Sequence, residues 1–222
     1  MSRIVDLSTP IVDHFRWPVE RSLRGDLEKG DVFQVTRLGW SVHGFTHMDS
    51  PRHMVLGGPT TSDIPLETTV GEAAVLDFSD IAPETALDDA ALAARAGHLR
   101  PGDIALFRTA WGARRSIDTP EFWTEAPYIT REGAEWLRAR APRAVGFDFP
   151  QDYPIRLLLK GEVRPIEEQV THDVLLRHGV VLIEYLVNTQ ALDRERVWFC
   201  CLPLKIQDSD GAPVRAIAML DG

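Results

Sequence analysis

TREGAEWLRARAPRAVGFDFP, residues 130–150, reads as a capped helix running straight into a strand. Thr130 offers the side-chain oxygen that a helix N-cap needs. Helical patterning continues to Ala141, and Pro142 helps to stop it because its ring clashes with the preceding turn. Val145–Phe149 is then a nearly continuous apolar run, the pattern of a strand covered on both faces. The same alternation extends outward. Ile104–Thr109 is a second such run, and before it Asp88–Ala96 reads as helix, with acidic residues in its first turn and Gly97 at its end. Downstream, Gln169–His178 predicts a helix stopped by Gly179, followed by strands over Val180–Leu186 and Val197–Ile206. Arg3–Leu7, Val32–His43 and Ala73–Phe78 also read as strands. Strands alternating with helices specify an α/β fold, with helices packed on a mixed sheet.

The chain has 222 residues, of which 44% are hydrophobic and 26% charged. This ordinary globular usage excludes a disordered or low-complexity protein. Lys and Arg number 24 against 33 Asp and Glu, a net charge of −9. Such a balance speaks against nucleic acid and against an anionic membrane surface as partners. The two cysteines, Cys200 and Cys201, are adjacent and cannot frame a disulfide scaffold. They read as buried thiols of a protein kept in the reducing cytoplasm. The N-terminal residues do not read as a signal peptide, and no apolar run approaches the roughly 20 residues that span a bilayer. One cytoplasmic domain over residues 1–222 is the expectation.

Three of the seven histidines fall in HGFTHMDSPRH, residues 43–53, with Asp49 among them. Gly44 and Thr46 disfavour a helix here, and Pro51 restricts the residue before it. The chain is expected to turn at Gly44 and then run extended from His47. Alternate residues of an extended chain share a side, which aligns His47, Asp49 and His53, with His43 folded back towards them. Imidazole and carboxylate are the donors that Zn²⁺ and Mn²⁺ take outside thiolate sites. A polar surface loop is the alternative. Glu184 is a carboxylate inside the apolar run VVLIEYLV, and a buried carboxylate is costly unless it is metal-bound or paired, for instance with an arginine. His172 lies on the expected helix, where a histidine is usually just solvated or packed.

HGFTHMDSPRH resembles the H-x-G-T-H-x-D-x-P-x-H signature of the cyclase-like metal-dependent hydrolases, a family that includes bacterial kynurenine formamidases and isatin hydrolases. The resemblance extends over nearly the whole chain, through IVDLSTPI, PLETTVGEAAVLDFS, DIALFRTAWG, AVGFDFP, GVVLIEYLVN and LPLKIQDSDGAPVRAIAM. It implies a swivelling β/β/α fold with a central mixed barrel-like sheet flanked by helices. It also implies that His43, His47 and Asp49 are metal ligands, Asp49 being able to bridge two ions, and that His53 is the general acid or base. A further metal ligand is the other role open to His53. His172 and Glu184 carry the spacing of the remaining ligand pair in two-metal members. The implied cofactor is a divalent metal, Zn²⁺ or else Mn²⁺, at one or two ions per subunit.

The activity so implied is hydrolysis of an amide by a metal-activated water. N-formyl-L-kynurenine, giving L-kynurenine and formate, is the first substrate. Isatin or another cyclic amide, imide or lactone is the alternative, and a non-catalytic protein binding a metal or an aromatic ligand is a third reading. Trp17 and the neighbouring Phe15 are the expected contacts for a small aromatic amide. The implied assembly is a homodimer or homotetramer. Phe45 stands where the signature carries Gly, with Gly44 expected to supply the tight backbone one place earlier. FPQDYP departs from the usual serine-containing stretch, and Tyr185 follows Glu184 where Asn is common.

Overall fold

The computed structural model describes residues 3–220. In chain order the elements are β1 (Arg3–Asp6), β2 (Glu20–Gly25), β3 (Val35–Gly39), β4 (His47–Asp49), β5 (Val70–Asp77), β6 (Ala86–Leu87) and α1 (Asp89–Arg95). Next come β7 (Ile104–Arg108), α2 (Trp111–Arg114), α3 (Pro120–Thr124), β8 (Tyr128–Ile129), α4 (Arg131–Ala139) and β9 (Ala144–Gly146). The chain finishes with α5 (Val170–Val174), β10 (Val181–Glu184), β11 (Arg196–Pro203) and β12 (Gly211–Leu220).

The main sheet runs β1-β12-β11-β5-β7-β9-β10-β4, and β4 pairs again with β12. The second pairing closes a ring of seven strands, as the expected barrel-like sheet requires. β5, β7, β9 and β10 are parallel neighbours, while β4, β11 and β12 join antiparallel. Strand alternation divides the apolar residues into two cores. Val75, Leu106, Ile183, Phe199 and Met48 belong to the cluster inside the ring. Leu76, Phe107, Leu182 and Phe147 belong to the cluster under the helices, with Leu92, Leu137, Trp111 and Trp123. Both faces of the parallel strands are thus covered, which is why they read as unbroken apolar runs.

The capped helix expected over residues 130–141 forms as α4, while the strand expected over Val145–Phe149 is shortened to β9. Thr130 accepts from the Gly133 backbone N–H at the start of α4, and Ala141 turns left-handed before Pro142. Gly133 is also a point of close approach: a Cβ there would lie 2.2 Å from the carbonyl oxygen of Leu87. Gly133→Ala is therefore expected to push α4 off β6 and to destabilise the fold by about 3 kcal/mol, since backbone cannot rotate away as a side chain can. Urea unfolding of both proteins measures it, and equal midpoints would contradict this contact.

Three further expectations change. The long strand at Val32–His43 shrinks to β3, which pairs only with β2 in a hairpin exposed on both faces. With no buried face to enforce alternation, its apolar residues do not extend the strand. The helix over Gln169–His178 breaks after Val174 and continues as a tight turn over Leu176–His178. The extended run from His47 ends at Asp49, because Pro51–His53 form a 3₁₀ turn. β2 and β12 were not expected, since β2 carries Leu23 as its one large apolar residue and β12 carries Pro213. Among the described residues, no helix is long and apolar enough to cross a membrane.

Candidate metal centre

The site lies where the ring closes. Leu182, Ile183 and Glu184 of β10 face Asp49, Met48 and His47 of β4 in antiparallel register. Met48 and Ile183 point into the ring, so His47, Asp49 and Glu184 point out of it together. His43 returns to them through a turn closed by the Gly44 N–H donating to the Ser41 carbonyl. The left-handed residue of this loop is Phe45, at φ 62°, while Gly44 supplies the tight backbone as expected: a Cβ there would lie 3.1 Å from Trp17 Cγ and 3.2 Å from the Ser41 carbonyl oxygen. Phe45 is nearly fully buried and packs on Trp17, their ring centroids 5.1 Å apart, so burial holds the strained backbone in place. α5 contributes His172 from the opposite side.

Three groups of donor atoms result. Two are tripods that share Asp49, one of His43, His47 and Asp49 and the other of Asp49, His172 and Glu184. The third, His43, His53 and Asp210, is only half-buried. Oδ1 of Asp49 lies 2.7 Å from His43 Nδ1 and 3.2 Å from His47 Nε2. Its Oδ2 lies 3.6 Å from His172 Nε2. Glu184 reaches both histidines, with Oε2 3.7 Å from His47 Nε2 and Oε1 3.4 Å from His172 Nε2. No arginine pairs with Glu184, so the salt bridge weighed for it does not form among the described residues; Gln151 Nε2 donates to its Oε1 instead.

Each histidine has its other nitrogen occupied. His47 Nδ1 donates to the Phe45 carbonyl at 2.9 Å, and His172 Nδ1 lies 2.6 Å from Asp152 Oδ2. His43 Nε2 lies 2.7 Å from Asp210 Oδ2. A partner on one ring nitrogen fixes the tautomer and aims the other at a metal. Gly211 makes room for this: a Cβ there would lie 2.7 Å from His43 Cε1. The donor set fits a divalent ion of the Zn²⁺ or Mn²⁺ type. The fit is also seen at Asp49 Oδ2, a fully buried oxygen with no hydrogen bond, as a ligand atom awaiting a cation would be.

Burial alone would push the His43 pKa down, but the carboxylates of Asp49 and Asp210 on its two nitrogens outweigh this and raise it to about 9. His43 is therefore expected to be protonated at neutral pH in the metal-free protein, and a metal binding there would displace that proton. Zinc uptake is expected to release protons and to tighten as pH rises towards 9. Calorimetry in buffers of different ionisation enthalpy tests this; a buffer-independent enthalpy would contradict it. Asp152 is held by the Thr171 N–H and hydroxyl as well as by His172. Asp152→Asn is expected to weaken zinc binding about 10- to 100-fold, and unchanged affinity in a competitive chelator titration would remove its orienting role.

His53 stands beside the tripods on the Pro51–His53 turn. Its ring centroid is 4.0 Å from that of His43, and its Nδ1 is 3.5 Å from Asp210 Oδ2. Burial lowers its pKa, with the neighbouring His43 and His172 adding to the effect against Asp49 and Glu184. Together these residues border an open cavity of about 450 Å³, whose other walls include Trp17, Met54, Ile155 and Tyr185. Trp17 is 7% exposed and packs against Tyr185 and Trp123. Phe15 is 53% exposed and is not part of the cavity wall. Its ring packs on the buried His14, behind Trp17. The sequence reading missed Asp152, Gln151 and Asp210. The first two sit in FPQDYP, where two polar residues inside an apolar stretch are a signal; Asp210 carries none.

Residues 5–151 match the Cyclase family model, described as "Putative cyclase". A kynurenine formamidase of Bacillus mycoides (strain KBAB4) is 26% identical over 223 residues, covering 97% of each chain. A solved structure described as a potential metal-dependent hydrolase with cyclase activity superposes with TM-score 0.77 at 25% identity, covering 100% of both chains. Isatin hydrolase A from Labrenzia aggregata, bound to benzyl benzoate, superposes with TM-score 0.80 at 23% identity, covering 100% of this chain and 94% of that one.

Proposed function

The chain belongs to the cyclase family, and from that premise we propose that it is a metal-dependent amide hydrolase that converts N-formyl-L-kynurenine to L-kynurenine and formate. The observation that carries the reading is the pair of donor tripods sharing Asp49, with His53 beside them on one cavity wall. The formamidase relative, matched over nearly its full length, supplies the substrate class. In this reading His43, His47, Asp49, His172 and Glu184 hold two Zn²⁺ ions. When bound, the ions supply Lewis acidity, which acidifies water and polarises an amide carbonyl.

The protein's own side chains do the rest. Asp49 and Glu184 hold negative charge against the site, and Asp152, Asp210 and the Phe45 carbonyl keep the three histidines aimed. His53 is neutral near pH 7 because its pKa is lowered. It can therefore take the proton of the attacking water and pass it to the departing aryl amine as the C–N bond breaks. Trp17 walls the aromatic part of the substrate. The reading includes a single hydrolase domain over residues 1–222, working in the cytoplasm as a homodimer or homotetramer. Cys200 and Cys201 are both free thiols, which suits a reducing compartment.

Parallel assays of the zinc-loaded protein on N-formyl-L-kynurenine and isatin, each with a chelated control, test the assignment. Chelator-sensitive hydrolysis of the formamide is expected. Isatin opening alone would move the assignment to cyclic amides, and turnover of neither would remove it.

A further inference from the structure

The cavity wall carries one cation that the metal site does not use. Arg16 lies beside Trp17 and lines the same cavity. Its guanidinium carbon stands 4.3 Å from the Trp123 ring centroid. Trp123 in turn packs on Trp17 and Tyr185, which also line the cavity, at 5.2 Å from each. The stack fixes the guanidinium plane and takes its apolar face.

The donors of Arg16 are poorly matched. A guanidinium offers five N–H groups in a fixed fork. Here Nε is buried without a hydrogen-bond partner, and Nη1 makes only a long bond, 3.4 Å, to the Ile155 carbonyl. Among the described residues Arg16 forms no ion pair. Arg156, which is also stacked on an aromatic ring, does: it pairs with Glu84 and donates to the Ala126 carbonyl. With Nε buried and unpartnered, Nη1 only weakly held and no ion pair, this cation at the cavity wall suits an anion on its remaining donors. The anion that matches its fork is a carboxylate, held by two parallel hydrogen bonds.

We propose that Arg16 anchors a carboxylate of the substrate, so that the preferred substrates are aromatic amides that carry an acid group away from the bond being cleaved. This deepens the hydrolase reading and rests on it. It also gives the cavity a polarity: metal at the Asp49 end, aromatic wall at Trp17, anion anchor at Arg16. A neutral compact amide leaves the anchor unmet.

The test uses N-formyl-L-kynurenine and its methyl ester, which differ by the free carboxylate. The zinc-loaded protein is expected to prefer the acid at least about 10-fold in kcat/KM, the worth of a charged hydrogen-bond pair. Arg16→Gln should collapse that preference to near unity, chiefly by raising KM for the acid, and Arg16→Lys should retain part of it. Equal kcat/KM for acid and ester in the unmodified protein, or a preference that Arg16→Gln leaves intact, would overturn the proposal. Calorimetric binding of L-kynurenine and its methyl ester reads the same preference without turnover. An acid preference lost in Arg16→Gln would uphold the anchor even if no formamide were hydrolysed, and only the hydrolase assignment would then fall. No acid preference in binding would remove the anchor whatever the turnover. Should Arg16→Gln not fold, the unmodified protein and Arg16→Lys carry the comparison.

Discussion

Asp49→Ala is expected to strip metal from both ligand groups at once and to lower hydrolysis about a thousandfold or more. Asp49 is the member common to the two tripods, with one oxygen towards His43 and His47 and the other towards His172. Burial by itself would raise its pKa, yet the surrounding imidazoles hold it well below the ordinary carboxylate value. The group is therefore a buried anion ringed by imidazoles, a placement that suits a bound cation. Loss of the Lewis acid removes several kcal/mol of transition-state stabilisation, and each 1.36 kcal/mol is tenfold in rate. Elemental analysis and rate, on protein whose circular dichroism shows it folded, measure both effects. Full metal content in Asp49→Ala would refute the ligand assignment.

His53→Ala should separate chemistry from metal binding. Its kcat is expected to fall about 10²- to 10⁴-fold, the usual worth of a positioned proton carrier, while zinc content stays at the unmodified level. The two tripods that share Asp49 are complete without His53, which belongs only to the half-buried group with His43 and Asp210. If metal were lost with the rate, His53 would be a ligand, the other role open to it. An undiminished rate would remove it from catalysis. Asp210 lies within reach of both His43 and His53, so Asp210→Asn should show part of each phenotype.

The centre was legible in the sequence to the extent that it is local. Histidines crowd one short segment, and a carboxylate stands in an apolar strand, because metal donors must be concentrated and buried charge needs a reason. The pairing of His47 with Glu184 follows from β4–β10 register, which no local pattern encodes. Asp210 is far from His43 in sequence and reaches it because β4 shares an edge of β12. His53 arrives through a 3₁₀ turn begun at Pro51, and not by strand alternation, so its place beside the site has a different cause from the one expected. The aromatic wall was half legible: Trp17 lines the cavity, but Phe15 points elsewhere, since side chains two apart in an irregular segment need not share a face. Seven strands close into a ring through β4, only three residues long. A strand so short gives almost no periodicity to read, yet it carries two of the candidate ligands.

The central claim is that a metal held on Asp49 performs amide hydrolysis. The most direct test is to titrate chelator-stripped protein with Zn²⁺ while following N-formyl-L-kynurenine cleavage and bound zinc together. The account predicts no turnover in the stripped protein and a rise to a plateau at two ions per chain. Undiminished cleavage by the metal-free protein, or full zinc loading with no cleavage, would contradict it.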